Sequence, residues 1–585
     1  MSVHYRVRVL PERHQLEVEV ELKQREVGPL TVQIPTWVPG AYGFMKYARD
    51  LFDLRATCLE TGASLSLVRE GFSGWRIDGA RGAVRLAYTS GGFDPAWGEL
   101  VGLVDHAYAI LLGTRYLHVP EWKGAVHVDY ALPERWPLHH PGGAIQTGPA
   151  SFTYPGYGVL LDTPVVAGAF TRRTRTLHGA TFHCVFVDEA VGFERELEHF
   201  VDEVMRVSEV CHALFGSFPF EDYTYVFSFD PNAHWGLEHV HATMIGLGPD
   251  GLIDAGERTA GLRTVAHELY HAWNVCRLKP RALMDPDRVA GAFPAELWVS
   301  EGFTRYYEFL LMVRAGLSEP ATFFSNLVNY LNALVQLPAW QRVSPADSSR
   351  ATFLNHNRYA GAANATIDYY DVGMLMAFDL DATLRTLPSP RTLDADFRDF
   401  YAAHVERGFT QEELVAFFEA RAPAAAARLA RQMNTPGSLD TEALLARLGF
   451  EPRRRAAPRL GLILAKDQGP VIADVLDTLP AGNSGLAAGD ELLLVQGHPF
   501  TKKRLLWCVA QGAPVTLQVR RGHRVLDFTV APTGHARIEE LLWQGDELQL
   551  QRLQSWLARP DFAPARGEAI PLTSHENFHG VQTLV

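Results

Sequence analysis

Short runs in which apolar and polar residues alternate dominate the first part of the chain, as in Tyr5 to Val9 and Leu16 to Leu22, and clusters of Gly and Pro interrupt them. Alternation with a period of two places one face of a strand in a core and the other in water. Residues 1–172 are therefore expected to form an N-terminal β-rich domain. One segment departs from this pattern: IPTWVPGAYGFMKYARD, where Trp37, Pro39, Gly40 and Tyr42 crowd together. It reads as a packed aromatic loop, with a substrate contact as the alternative.

After Thr181 the period changes. A strand, FHCVFV, precedes a helical pattern from Phe193 to Leu214, and a second strand, YTYVFSFD, leads into the histidine-rich stretch PNAHWGLEHVHATMIG. A helix is predicted from Asp254 to Cys276, with Val265, Leu269, Ala272 and Cys276 as its apolar stripe and His267 and His271 on another face. Helical patterns recur at Ser300 to Ala315, Ala321 to Leu337, Asp368 to Leu387, Leu393 to Val405 and Thr410 to Arg421. The last begins with Thr410 and Glu413 in capping-box spacing. These elements fill residues 173–448. The Pro- and Arg-bearing stretch GFEPRRRAAPR places a linker at 449–458, and short strands with one short helix occupy 459–533. Residues 534–585 read as one amphipathic helix, IEELLWQGDELQLQRLQSWLA, and an irregular tail.

A chain of 585 residues exceeds what one hydrophobic core serves, in keeping with several domains. An apolar fraction of 47% and a charged fraction of 21% are those of an ordinary globular protein. A formal charge of −13 argues against a nucleic-acid partner, which requires a concentrated basic face. The charged N-terminal stretch lacks the apolar segment of an export signal, no apolar run is long enough for a membrane span, and the five cysteines are scattered and odd in number. The expectation is a cytoplasmic chain with reduced thiols and no cysteine-based metal site.

The chemistry concentrates in VAHELYHAWNV, where His267, Glu268 and His271 have the spacing H-E-x-x-H. On a helix, histidines four apart share a face and can both reach one zinc ion, with the intervening glutamate placed to take a proton from the attacking water. A catalytic zinc keeps three protein ligands and one open position. In LWVSEGFTRYYEFLL, Glu301 stands before a glycine at the start of an apolar helix, without an evident folding purpose, and reads as the third ligand. Glu308 follows two turns later on the same face, either as a solvated surface glutamate or as a group that orients a liganding histidine.

Taken together, the H-E-x-x-H motif and the run from Trp298 through Glu301 to Glu308 resemble the gluzincin metallopeptidases. Within them the chain is similar to the glycyl aminopeptidase family. HAWNV follows the metal motif, GLEH spans Gly236 to His239, IPTWVPGAY lies in a β-rich domain, and LPAGNSGLAAGDELLLVQG resembles part of a PDZ domain. The resemblance implies a multidomain α+β fold: an N-terminal β-rich domain, a thermolysin-like zinc peptidase domain with a helical lobe, and a C-terminal PDZ-like domain. It implies one zinc ion (Zn2+) per chain on His267, His271 and Glu301, with Glu268 as general base. Tyr370 stands as the oxyanion donor, with Tyr369 as the alternative. Glu238 holds the substrate's free amino group among Gly236, Leu237 and Trp235, and Glu308 and Asn274 surround the ligands.

The chain departs from the family pattern at Val372 and Cys276, where the family has lysine, and at Trp235, where it has glycine. The implied activity is removal of small N-terminal residues, Gly or Ala, from peptides with a free N-terminus. A peptide or protein C-terminus is a candidate partner for the PDZ-like domain. Two other readings stay open: a zinc endopeptidase, and a PDZ-mediated peptide-binding protein whose peptidase fold is vestigial.

Overall fold

A computed structural model of the chain describes residues 2–25, 28–93, 102–187, 192–231, 235–355, 359–465, 469–572 and 582–585. The stretch 232–234 in PNAHWGLEHVHATMIG lies outside the described residues. The chain forms two compact units, residues 1–292 and 293–585.

In the first unit the predicted alternation becomes sheet. Ser2–Leu10 pairs antiparallel with Gln15–Arg25, so that Val7 faces Val18 and Tyr5 faces Val20. Val3, Tyr5, Val7 and Val9 are buried while the intervening residues are not. These two strands sit in a seven-stranded sheet that shares its core with a three-stranded sheet of Leu30–Gln33, Ser66–Glu70 and Gly74–Asp78. The expected boundary at 172 falls inside the strand Phe170–Leu177, which already belongs to the next sheet.

That next sheet holds what positions the site. Ala180–Val187, Asp222–Ser228 and Ala242–Gly246 run parallel, with the helix Glu194–Phe215 crossing between the first two. The edge strand Gly236–Glu238 pairs antiparallel with Ala242–Gly246. The helix Ala255–His271 follows, and Asp254 caps it by accepting the Glu257 N–H at 2.8 Å. It stops five residues earlier than the apolar stripe predicts. The chain turns after His271, where Ala272 and Trp273 N–H donate to Leu269 and Tyr270 carbonyls, so Cys276 is not on the helix.

The second unit is a helical lobe followed by small sheets. Helices Leu297–Arg314 and Tyr369–Arg385 pack at two glycines. A Cβ on Gly302 would lie 2.3 Å from the Gly373 Cα, and one on Gly373 would lie 2.2 Å from the Trp298 carbonyl oxygen. Gly302 therefore has a folding purpose that the sequence alone did not reveal: only glycine permits this crossing. Other predicted helices appear at Pro320–Gln336, Leu393–His404 and Gln411–Glu419, the last with its Thr410–Glu413 capping box formed.

The stretch read as a linker is a strand, Phe450–Arg459, paired antiparallel with Thr533–Trp543. Its mostly exposed Arg and Pro side chains hide the strand from a hydrophobicity reading, because backbone pairing holds it. The same partner strand takes the first six residues of the predicted C-terminal helix, Ile538 to Trp543, and the helix forms only over Glu547–Leu557. No helix among the described residues is long and apolar enough to cross a membrane.

Candidate active site

The first unit assembles two glutamates and the histidine pair. His267, Glu268 and His271 are all buried, with relative exposures of 9%, 5% and 1%. The two imidazoles stand nearly perpendicular, centroids 4.7 Å apart. His271 Nδ1 lies 2.7 Å from the Asn274 carbonyl oxygen, which accepts its N–H and leaves Nε2 as the nitrogen able to take a metal. Asn274 was expected near the ligands, and its backbone does this work. The turn that delivers it is pinned by Arg277, whose guanidinium donates to the Ala272 carbonyl at 2.7 Å and the Val240 carbonyl at 3.2 Å.

The strand Gly236–Glu238 lies directly against this helix. A Cβ on Gly236 would come within 2.2 Å of Glu268 Oε1, so Glu268 occupies the space that any side chain at 236 would need. Along a strand, faces alternate. Glu238 therefore shares the face of Gly236, and donor atoms of Glu238, Glu268 and His271 lie within 4.8 Å of one another. Leu237 is 4% exposed on the other face and joins an apolar cluster with Tyr108, Val226 and Met244. The side chain of Trp235, where the family has glycine, packs on this cluster.

Two other segments of the first unit surround Glu238. A Cβ on Gly40 would lie 2.9 and 3.0 Å from the two Glu238 carboxylate oxygens, and Gly40 has a φ of 74°, which favours glycine. The aromatic loop is thereby a wall of the Glu238 site, the contact that PGAY left open in the sequence. Trp37 and Thr36 fix this loop by donating their N–H groups to the Arg288 carbonyl at 3.1 and 2.9 Å. Asp162 holds the end of the GLEH segment, accepting from the Val240 N–H at 2.8 Å and pairing with the buried His239 ring at 3.1 Å. No local motif around Asp162 announces that role. Cys276 stands where the family has lysine. Burial pushes its thiol well above the usual range, and the nearby carboxylates of Glu238 and Asp162 add to the shift. The thiol therefore stays neutral beside these carboxylates and adds no charge to the site.

Glu301 and the two tyrosines lie in the second unit. Glu301 and Glu308 are 1% and 6% exposed, which removes the reading of Glu308 as a surface residue. Tyr369 is buried, its hydroxyl is within 2.9 Å of Thr352 Oγ1, and the Glu301 charge, after burial, contributes to holding its phenol protonated. Tyr370 is half-buried, with its N–H capped by Asp368 at 2.8 Å. The Arg305 guanidinium stands 4.8 Å from the Tyr370 ring centroid and pairs with Asp371. A cation thus reaches Tyr370 even though Val372 replaces the family lysine. Arg305 escaped the sequence reading because it lies on a different helix.

Two family profiles match this chain: that of the M61 glycyl aminopeptidase over residues 260–376, and that of the peptidase M61 N-terminal domain over residues 4–169. The matched family is one of metallo-aminopeptidases. The chain belongs to the M61 glycyl aminopeptidase family. Among solved structures it resembles an aminopeptidase N family protein from Idiomarina loihiensis, with a TM-score of 0.85 and 19% identity over 95% of this chain and 100% of that one. An M1 zinc metallopeptidase from Deinococcus radiodurans gives a TM-score of 0.44 at 16% identity, over 75% and 95% of the two chains. Yeast LTA4 hydrolase in complex with bestatin gives 0.47 at 13%, over 74% and 68%. At 19% identity the likeness to the Idiomarina loihiensis protein is one of fold. No curated protein matches the sequence.

Proposed function

We propose that the chain is a zinc-dependent aminopeptidase that removes small N-terminal residues, Gly or Ala, from peptides with an unblocked N-terminus. The observation that carries this reading is the approach of Glu238, Glu268 and His271 to within 4.8 Å around a glycine that leaves them room. A general base and a second carboxylate thus adjoin a histidine whose Nε2 is the nitrogen able to take a metal. This donor set fits zinc, which takes imidazole nitrogen and carboxylate oxygen. His267, His271 and Glu301 would hold one ion per chain.

When bound, zinc supplies Lewis acidity toward the scissile carbonyl and the attacking water. Glu268 takes the proton from that water and delivers it to the leaving amine. Glu238 receives the α-ammonium group, which brings the first peptide bond, and no later one, to Glu268. Tyr370 donates a hydrogen bond to the developing oxyanion, and the adjacent Arg305 cation favours the charge that gathers there. The close approach of the Gly40 loop to Glu238 supports a small first residue, because little space remains beside the ammonium site.

The test is Glu238→Ala. Loss of a charge-assisted hydrogen bond costs about 1.5–3 kcal/mol, so kcat/KM for glycyl- and alanyl-anilides is expected to fall about 10- to 100-fold. Turnover of the N-acetylated compounds should stay at its own low level. Equal losses on both kinds of substrate would remove the clamp and favour an endopeptidase.

A further inference from the structure

Within the second unit, the helix Glu547–Leu557 meets the C-terminal ends of two others, Tyr369–Arg385 and Thr441–Arg447, around a pocket. Its walls bring together Arg385, Arg447 and Arg552 beside the buried Leu553 and Trp556. Gln549 ties the helices across it, its amide donating to the Arg447 carbonyl at 3.0 Å. No carboxylate is among the described residues that line it. The cavity is partly open to solvent and small, about 10 Å³, the room one water-sized atom needs.

Two observations point to an anion. The first is a pair of buried donors. The Arg385 side chain is 9% exposed; its Nε donates to Asp381 at 2.9 Å, but Nη2 has no acceptor, with Asp394 at 3.6 Å, beyond hydrogen-bond reach. Arg447 repeats the pattern: Nη2 donates to Asp379 at 2.8 Å, and Nε is buried without an acceptor. The second observation is charge. Asp394 is shared between Arg385 and Arg314, and Asp379 between Arg447 and Arg428, so that with Asp381 three aspartates face four arginines. Arg552 is a fifth cation, half-buried and in no hydrogen bond or ion pair among the described residues, which leaves two positive charges in excess. Water satisfies orphaned nitrogens but leaves such a charge uncompensated. An anion answers both, and the apolar wall of Leu553 and Trp556 strengthens its attraction to the guanidinium groups.

We propose that Arg385, Arg447 and Arg552 form a binding site for a phosphate group, separate from the peptidase residues. Guanidinium forks match the oxygens of a phosphate, several at a time. The small cavity takes one of those oxygens between Arg385 and Arg447. The others meet Arg552 at the open side, so the ligand is free phosphate or a phosphate ester whose remainder stays in solvent. Bound there, it draws three helices together and fastens the C-terminal helix to the lobe.

The measurement is isothermal titration calorimetry of the full-length zinc-loaded protein with inorganic phosphate and with phenyl phosphate, at an ionic strength held constant with sodium chloride. The wild type should bind at one saturable site. Arg552→Gln should weaken that binding at least about tenfold, since it removes a charge-assisted contact. Arg453→Gln, at an exposed arginine outside the pocket, should leave it unchanged. Melting both variants without phosphate checks the fold, and each should match the wild type; phosphate should then raise the melting temperature of the wild type and of Arg453→Gln but not of Arg552→Gln. Binding of inorganic phosphate alone identifies the free ion as the ligand, and equal binding of the ester identifies the phosphate group wherever it is carried. No saturable binding of either compound, or binding that Arg552→Gln leaves intact, as at the metal, would overturn the proposal.

Discussion

Glu268→Gln is expected to bind zinc at the wild-type stoichiometry and to hydrolyse unblocked aminoacyl anilides about 10³-fold more slowly. The amide has the shape of the carboxylate and fits the space that Gly236 leaves for it. It cannot accept a proton, so the change falls on kcat. His271 keeps its orientation because the Asn274 carbonyl, not Glu268, fixes its ring. Metal analysis together with steady-state rates checks both halves. A variant with zinc and near-wild-type turnover would remove Glu268 as the base, and one without zinc would make it a structural neighbour of the ligands.

The second large effect is expected at the tyrosine pair. Tyr370→Phe should lower kcat by about 10²- to 10³-fold with KM little changed, the signature of a contact made only in the transition state. Tyr369→Phe should leave kcat within a few-fold, because that hydroxyl is already engaged with Thr352 and the ring is buried. Its cost should appear as stability, about 1 kcal/mol for a lost buried hydrogen bond. If the kcat loss followed Tyr369 instead, the two roles would exchange. Arg305 belongs to the same test, since its guanidinium stands over the Tyr370 ring and not over Tyr369.

Much of this site was legible in the sequence wherever the chemistry is local. H-E-x-x-H needs only one helix and a capping box four residues, so spacing located them, while GLEH, on one strand, was legible through the family resemblance. What the sequence concealed lies in contacts between distant segments. Gly302 read as an idle neighbour of a ligand, whereas it is where two helices touch through Gly373. Gly40 and Asp162 hold the Glu238 strand from more than seventy residues away in the chain. Trp235 could not be assigned a face until the strand around it was fixed, and its side chain then proved to be packing. The strand Phe450–Arg459 was hidden for a different reason: its pairing depends on backbone hydrogen bonds, which arginine and proline side chains do not advertise.

The most direct test is a set of initial rates on glycyl- and alanyl-anilides and their N-acetylated counterparts, before and after treatment with a chelator and again after zinc is returned. The account predicts hydrolysis of the unblocked compounds alone, its loss on chelation and its recovery with zinc. Hydrolysis of blocked and unblocked compounds at similar rates, or a rate indifferent to the chelator, would contradict it.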